Sequence, residues 1–151
     1  MKLEKVDAKQ TDSIEKLVRI STEAFDTDVN VGAQEPDGPP DYDSVKWHVQ
    51  MAKEGHLFKA SVDGNTVGGA LLFFDEKKKF LYVGRIFVDC RFHRKGHGIA
   101  LMELAESVYP DAKAAFLDTP LWNVRTNAFY QKLGYQKYKE DDEFAYYQKA
   151  L

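Results

Sequence analysis

Asp63-Gly64 sits between two runs rich in apolar and β-branched residues, Leu57 to Val62 and Thr66 to Phe74. An Asp-Gly pair adopts the positive φ angles of a tight two-residue turn, whose twist matches two antiparallel strands. The middle of the chain is thereby committed to a hairpin. A third run, Phe80 to Val88, follows the turn DEKKK and extends the sheet. Val67, Leu71 and Phe73 are expected in the core. Gly68-Gly69 within the second run predicts a bulge or a close backbone approach.

The flanks read differently. Leu3 to Val6 is a short first strand. Residues 11–25 are expected as a helix capped by Thr11 or Asp12, with Ile14, Leu17, Val18, Ser21 and Phe25 on one face. Residues 26–42 carry three prolines and two glycines without a period, which predicts a long loop, and long loops in compact domains tend to serve function. Asp43 or Ser44 then caps a helix to about Glu54, with Val45, His48, Val49 and Ala52 on one side and Gly55 ending it. After residue 89 the period becomes helical. A helix is expected from about Gly98 to Val108, on an apolar face of Ile99, Leu101, Met102, Leu104 and Ala105. A buried-type strand (Ala114 to Thr119), a helix (Asn123 to Leu133) and a closing hairpin (Tyr135 to Tyr138, Phe144 to Lys149) complete the chain. Hairpins first and strand–helix–strand later predict a mixed α/β architecture.

Length and composition narrow the class. A chain of 151 residues with one cysteine predicts a single domain over 1–151 without a disulfide framework. No apolar run approaches the ~18 residues of a membrane span, and MKLEKVDAKQ has no apolar signal core, so a cytoplasmic protein with no membrane partner is expected. The net charge of −3 conceals two blocks. Glu23 to Asp43 holds seven acids and no Lys or Arg, while Lys77 to His97 holds seven Lys+Arg and one acid, Asp89. Such blocks are either solvated faces or sites for charged ligands. The basic run has aromatics nearby, but with no second basic face it does not predict nucleic-acid binding.

The densest chemistry follows Val88. A strand ends, the turn Arg91-Phe92-His93-Arg94-Lys95-Gly96-His97-Gly98 intervenes, and a helix opens at once. Unpaired N–H groups at a helix N-terminus carry the positive end of its dipole, and glycines let a ligand reach that backbone. Arg94 and Lys95 add formal charge, which makes the segment a candidate phosphate cradle. No Gly is followed by Lys-Ser/Thr, so it is not a Walker loop, and Leu101 occupies the third glycine of a dinucleotide fingerprint. A dinucleotide site would also need its first strand inside a parallel unit, whereas this one is joined by hairpins. His93 and His97 lack a third ligand, so no metal is expected. Cys90 reads as a small packing residue.

This segment resembles motif A of the GNAT superfamily of N-acetyltransferases, Q/R-x-x-G-x-G/A, with His93, Gly96 and Gly98 at its fixed positions. His93 departs from the usual Gln or Arg, and Cys90 replaces a common Pro. Asn123 to Tyr135 is similar to motif B, N-x-x-A-x-x-x-Y-x-x-x-G-F/Y, with Thr126 in place of Ala and with Asn123, Tyr130 and Gly134 in register. Two motifs in order are more specific than either alone. The stretch 37–74 also looks like that of small bacterial acetyltransferases of unassigned substrate.

The resemblance implies the family's acyl-CoA N-acyltransferase fold: a largely antiparallel sheet, flanked by helices, in which two adjacent parallel strands splay. It implies acetyl-coenzyme A as co-substrate and direct acetyl transfer to an amine in a ternary complex. Backbone at Ile86 and Val88 would pair with the pantetheine arm. Residues His93, Arg94, Lys95, Gly96, His97, Gly98, Ile99 and Ala100 would surround the pyrophosphate, and Asn123 would bond the pantetheine, cap its helix, or both. Tyr130 matches the tyrosine that protonates the leaving thiolate; a phenol near pKa ~10 against a thiol near ~8.5 makes that transfer modestly uphill. The strand carboxylate that often serves as base is missing. Counting back from Val88 puts Gly84 or Tyr82 there, on one strand face, which leaves Tyr82, a water chain or an acid of the 26–43 loop as candidates. The acceptor would be a small-molecule or peptide amine, cationic if the acidic block meets it, and walled by Tyr42 and Trp47 if these are not simply packed. Homodimers are common in the family. A CoA-binding sensor or partner-binding module without catalysis on the same fold is the alternative.

Overall fold

The computed structural model describes residues 1–27 and 38–151. Seven strands form one sheet in the order β1-β2-β3-β4-β5-β7-β6. These are β1 (Lys2–Lys5), β2 (Leu57–Val62), β3 (Asn65–Asp75), β4 (Phe80–Val88), β5 (Ala114–Pro120), β6 (Gln136–Glu140) and β7 (Phe144–Ala150). Every neighbouring pair is antiparallel except β4 and β5, which run parallel. Helices α1 (Thr11–Asp26), α2 (Val45–Lys53), α3 (His97–Ser107) and α4 (Val124–Lys132) complete the order. No helix of the described residues is long and apolar enough to cross a membrane.

Local chemistry accounts for most boundaries. Asp63 and Gly64 have φ of 52° and 80°, as the tight β2–β3 turn requires. The Ser44 side chain accepts from Trp47 N and caps α2, whereas α1 starts after Gln10 without a side-chain cap, so neither Thr11 nor Asp12 caps it. Helix α3 begins at His97, one residue before the expected Gly98.

The sheet separates two cores. One packs α3 against the sheet through Leu81, Val83, Leu101, Met102, Ala105, Ala115 and Leu117. The other holds Ile14, Leu17, Ile20, Leu57, Leu71 and Phe87 beneath α1 and α2. Val67 and Leu71 are buried as expected, while Phe73 is only partly covered and Val45 is 42% exposed, off the buried side of α2. Gly68 and Gly69 are places of close approach: a Cβ on Gly68 would lie 2.3 Å from the Phe87 carbonyl oxygen.

Two features of β4 build the site. Its pairing with β5 runs from Phe80/Ala114 to Tyr82/Phe116, and beyond that the strands part. Its register with β3 jumps from Leu72↔Val83 to Leu71↔Arg85, so Gly84 is an extra residue, a bulge. A Cβ at Gly84 would lie 2.7 Å from the Phe73 ring, which explains the glycine. The bulge reverses the alternation of β4. Leu81 and Val83 face the α3 core before it, Ile86 and Val88 after it. Tyr82 therefore lies on the face opposite Val88, with Phe87 of the α1–α2 core, which corrects the register count from the sequence.

Candidate functional site

Where β4 and β5 part, the surface opens into a cleft of about 790 Å³. Its floor is β4 from Tyr82 to Val88, one wall is β5 from Asp118 to Pro120 with α4, and the other wall includes Phe25 and Gly38 to Pro40. Its far end is closed by Phe92, His93, Arg94, Gly96, Gly98 and Ile99, the turn before α3 and its first residues.

That end is built by backbone geometry. Gly96 is the N-cap of α3 in the left-handed conformation, φ 78°, and a Cβ there would meet no atom within 4 Å. The first helical bond into the Gly96 carbonyl comes from Ala100 N, at 3.1 Å, which leaves the preceding amides at the helix mouth without α-helical acceptors. Arg94, also left-handed with φ 65°, lines the same end. A group of negative charge fits these residues: oriented N–H donors, the positive dipole end, Arg94 and open space at Gly96. Lys95 lies over the Phe92 ring at 5.6 Å and His97 beside it at 5.9 Å; neither lines the cleft, nor does Ala100. The His93 side chain is tied to the strand before it, Nε2 lying 2.8 Å from the Val88 carbonyl oxygen. Arg91 points elsewhere, its guanidinium paired with buried Asp89 at 2.7 Å.

Asn123 is buried, lines the cleft and caps α4 by accepting from Thr126 N at 3.0 Å. Its carbonyl takes the Asn127 amide, which orders the start of the helix. Tyr130, seven residues on, is half-buried against Phe129, Tyr135 and Tyr147 and lines the cleft. Burial, with the negative charge of Asp118 nearby, pushes its phenol up to about 12.

From the sequence, Asp118 stands out only as the acid about 20 residues after the glycine turn that a dinucleotide fingerprint would want, not as a residue of this site. It lies on β5 between buried Leu117 and Thr119 and turns to the cleft, where its Oδ2 accepts the Tyr82 hydroxyl at 2.7 Å. Burial, then this bond, raises the Tyr82 phenol well above its ordinary value. A carboxylate in an otherwise buried-type strand was the signal available in the sequence. Arg85 was also passed over as a site residue. It lines the cleft, stacks on Trp47 with 4.2 Å from guanidinium carbon to ring centroid, and donates through Nη2 to the Pro40 carbonyl. Of the acidic block, Asp28, Glu35 and Asp37 lie outside the described residues. Asp26 accepts from the Tyr42 hydroxyl at 2.8 Å, and Asp41 and Asp43 are exposed. Neither Tyr42 nor Trp47 lines the cleft itself.

A family model described as acetyltransferase (GNAT) family matches residues 14–135. No curated protein matches the chain by sequence. Among solved structures, the PaiA N-acetyltransferase of Thermoplasma acidophilum in complex with coenzyme A aligns with a TM-score of 0.80 at 15% identity, over 99% of this chain and 98% of that one. An acetyltransferase from Thermus thermophilus aligns at 0.76 and 14%, over 100% and 98%. The ribosomal-protein-S18-alanine N-acetyltransferase of Escherichia coli aligns at 0.69 and 14%, over 99% and 92%. At these identities the likeness is one of fold.

Proposed function

The chain belongs to the acetyltransferase (GNAT) family, and on that premise we propose that it transfers the acetyl group of acetyl-coenzyme A directly to an amine bound in the same cleft. The observation that carries the proposal is the cleft itself. One opening, made where β4 and β5 part, joins an anion-binding helix mouth to a protonated tyrosine and a carboxylate.

Acetyl-coenzyme A supplies a thioester carbonyl and a thiolate leaving group. The amides at the start of α3, with Arg94, hold its pyrophosphate, and the unpaired backbone beyond Tyr82 on β4 offers hydrogen bonds to its extended arm. Asn123, already ordered by its cap, borders the arm on the other side.

Two proton movements remain. The leaving thiolate takes a proton from Tyr130. With the phenol at about 12 and a reference thiol near ~8.5, the transfer is uphill by about 3.5 units, or ~5 kcal/mol. The same dry surroundings raise the proton affinity of the thiolate and reduce that difference. The acceptor must lose a proton as well. A primary ammonium near pKa ~10.4 costs about 4–5 kcal/mol to present as free amine at neutral pH. Once the ammonium has given its first proton to water, Asp118 accepts an N–H of the free amine and aims its lone pair, while the Tyr82 hydroxyl fixes the carboxylate. As the C–N bond forms and the C–S bond breaks, Asp118 takes the second proton and passes it to water, from which Tyr130 regains the one it gave to sulfur.

Calorimetry with acetyl-coenzyme A and thiol release with a panel of amines test the proposal. Binding with turnover is expected. Absence of binding up to about 1 mM, a ~4 kcal/mol interaction, sinks it. Binding without turnover of any amine favours a CoA-binding sensor, a reading kept open by β4 itself, which offers Tyr82, Arg85 and Phe87 but no carboxylate to the cleft.

A further inference from the structure

We propose that the acceptor is an amine that also carries a carboxylate, and that Arg85 is the residue that receives the carboxylate. This rests on the acetyl-transfer reading and adds to it the class of acceptor.

Arg85 follows the Gly84 bulge and reaches the α1–α2 side of the sheet, where its guanidinium meets Trp47 and lines the cleft. One ring face supports it and one edge is held by the Pro40 carbonyl. Its Nη1 is closed to water and has no hydrogen-bond partner, so an incoming anion meets the guanidinium through the atoms that line the cleft. Among the described residues no carboxylate forms an ion pair with it; the ion pairs there belong to other cations. Burial disfavours its charge, with Asp41 and Tyr82 only partly offsetting the cost through space. A guanidinium does not discharge in proteins, so the charge stays and calls for an anion. Among the described residues the other buried side-chain atom without a partner is His48 Nε2, but His48 packs edge-on against Trp47 and does not line the cleft.

A guanidinium fixed on one face and one edge is a preorganised donor for a planar oxyanion. Its partner across the cleft floor is negative. Tyr82, three residues before Arg85 and so within about 10 Å along the strand, ends on Asp118. Asp118 and Tyr130 line the same cleft, on the wall made by β5 and α4, and the charge of the one raises the phenol of the other. The negative pole is therefore the one beside the acid, where the reacting nitrogen belongs, and the positive pole lies toward Trp47. A zwitterionic acceptor satisfies both. A polyamine or aminoglycoside would set a second cation against Arg85.

The test uses the full chain, acetyl-coenzyme A and matched acceptors: phenylalanine against phenethylamine, lysine against cadaverine, 6-aminohexanoate against hexylamine, with spermidine and the pair phosphoethanolamine and ethanolamine alongside. In at least one carboxylate pair the acid should lead in kcat/KM by about 10-fold or more, a ~1.4 kcal/mol discrimination. In Arg85→Gln that ratio should fall to within about 3-fold of unity, with acetyl-coenzyme A affinity, read by calorimetry, changed by less than about 3-fold. Arg85→Lys keeps the charge but not the fork, and should lower the ratio even if the Gln variant fails to fold. The inference is overturned if the amines without carboxylate or spermidine are preferred. It is overturned equally if only the phosphate pair discriminates, if the ratio survives both substitutions, or if a chain that binds acetyl-coenzyme A acetylates none of these compounds. Failure to bind acetyl-coenzyme A removes the transfer reading itself, and the inference with it.

Discussion

Two Asp/Arg sets flank the end of β4, and they are treated in opposite ways. Asp89, 1% exposed, accepts the backbone N–H of Arg91 at 3.0 Å and two of its side-chain nitrogens, the shorter at 2.7 Å. Backbone and side chain of Arg91 thus converge on one carboxylate, and the pair closes the turn that leads to α3. Asp118 and Arg85 face the cleft without meeting each other. Asp118 is bonded to a neutral phenol and Arg85 to a neutral carbonyl, and one guanidinium nitrogen is orphaned. A charge that finds its counter-charge inside the chain serves the fold. A charge held in place by neutral groups keeps its electrostatic capacity for something that arrives.

Substitutions can break this contrast. The largest effect is expected beside the open set. Tyr130→Phe should lower kcat by about 10²–10⁴-fold, the range for losing a positioned proton donor, with little change in acetyl-coenzyme A affinity by calorimetry. Unchanged turnover would remove Tyr130 from the chemistry. Asp118→Asn should lower kcat/KM for the acceptor by about 10–100-fold while the melting temperature stays within a few degrees; a large thermal loss with normal turnover would make Asp118 a structural acid like Asp89.

The closed set should behave inversely. Asp89→Asn keeps the cap, since the amide oxygen still accepts from Arg91 N, but loses the ion pair with the exposed Arg91 guanidinium. It should cost at most about 1 kcal/mol, or ~2–4 °C in melting temperature for a chain of this size, with turnover retained. The Arg91 guanidinium holds the Asp89 carboxyl below its usual range. A folded-state pKa lowered in this way gives stability that is present above the unfolded value, near ~3.9, and is lost as pH falls through the folded one. The thermal gap between wild type and Asp89→Asn should thus narrow in acid.

The smallest and sharpest effect is in the pH profile. Tyr130 at about 12 keeps its proton throughout the working range. Activity should climb as the acceptor amine deprotonates and show no fall near the ordinary phenol value of ~10. A descending limb there would mean an acid of ordinary pKa.

Much of the scaffold was legible because its signals are local. The Asp63-Gly64 turn, the Ser44 cap and the apolar phases of α1 and α3 each follow from a few neighbouring residues. The turn before α3 was legible for the same reason, being a glycine at a strand–helix junction. The acceptor side was read less well because it depends on one inserted residue. Gly84 shifts the phase of β4, and a strict count of two carries Tyr82 to the wrong face. The shift can be seen in retrospect: Leu81 and Val83 are odd-numbered, Ile86 and Val88 even. Asp118 depends on a contact 36 residues back, with Tyr82, that no local pattern encodes.

The short seam between β4 and β5 has a mechanical consequence. Four strands lie on one side of it and three on the other, and after Tyr82/Phe116 no ladder joins them. The sheet is a zipper left partly undone. An elongated guest laid in the gap would bond to both flaps and act as the missing teeth, so occupancy and cohesion of the two halves become one quantity, and the protein should be stiffest when loaded.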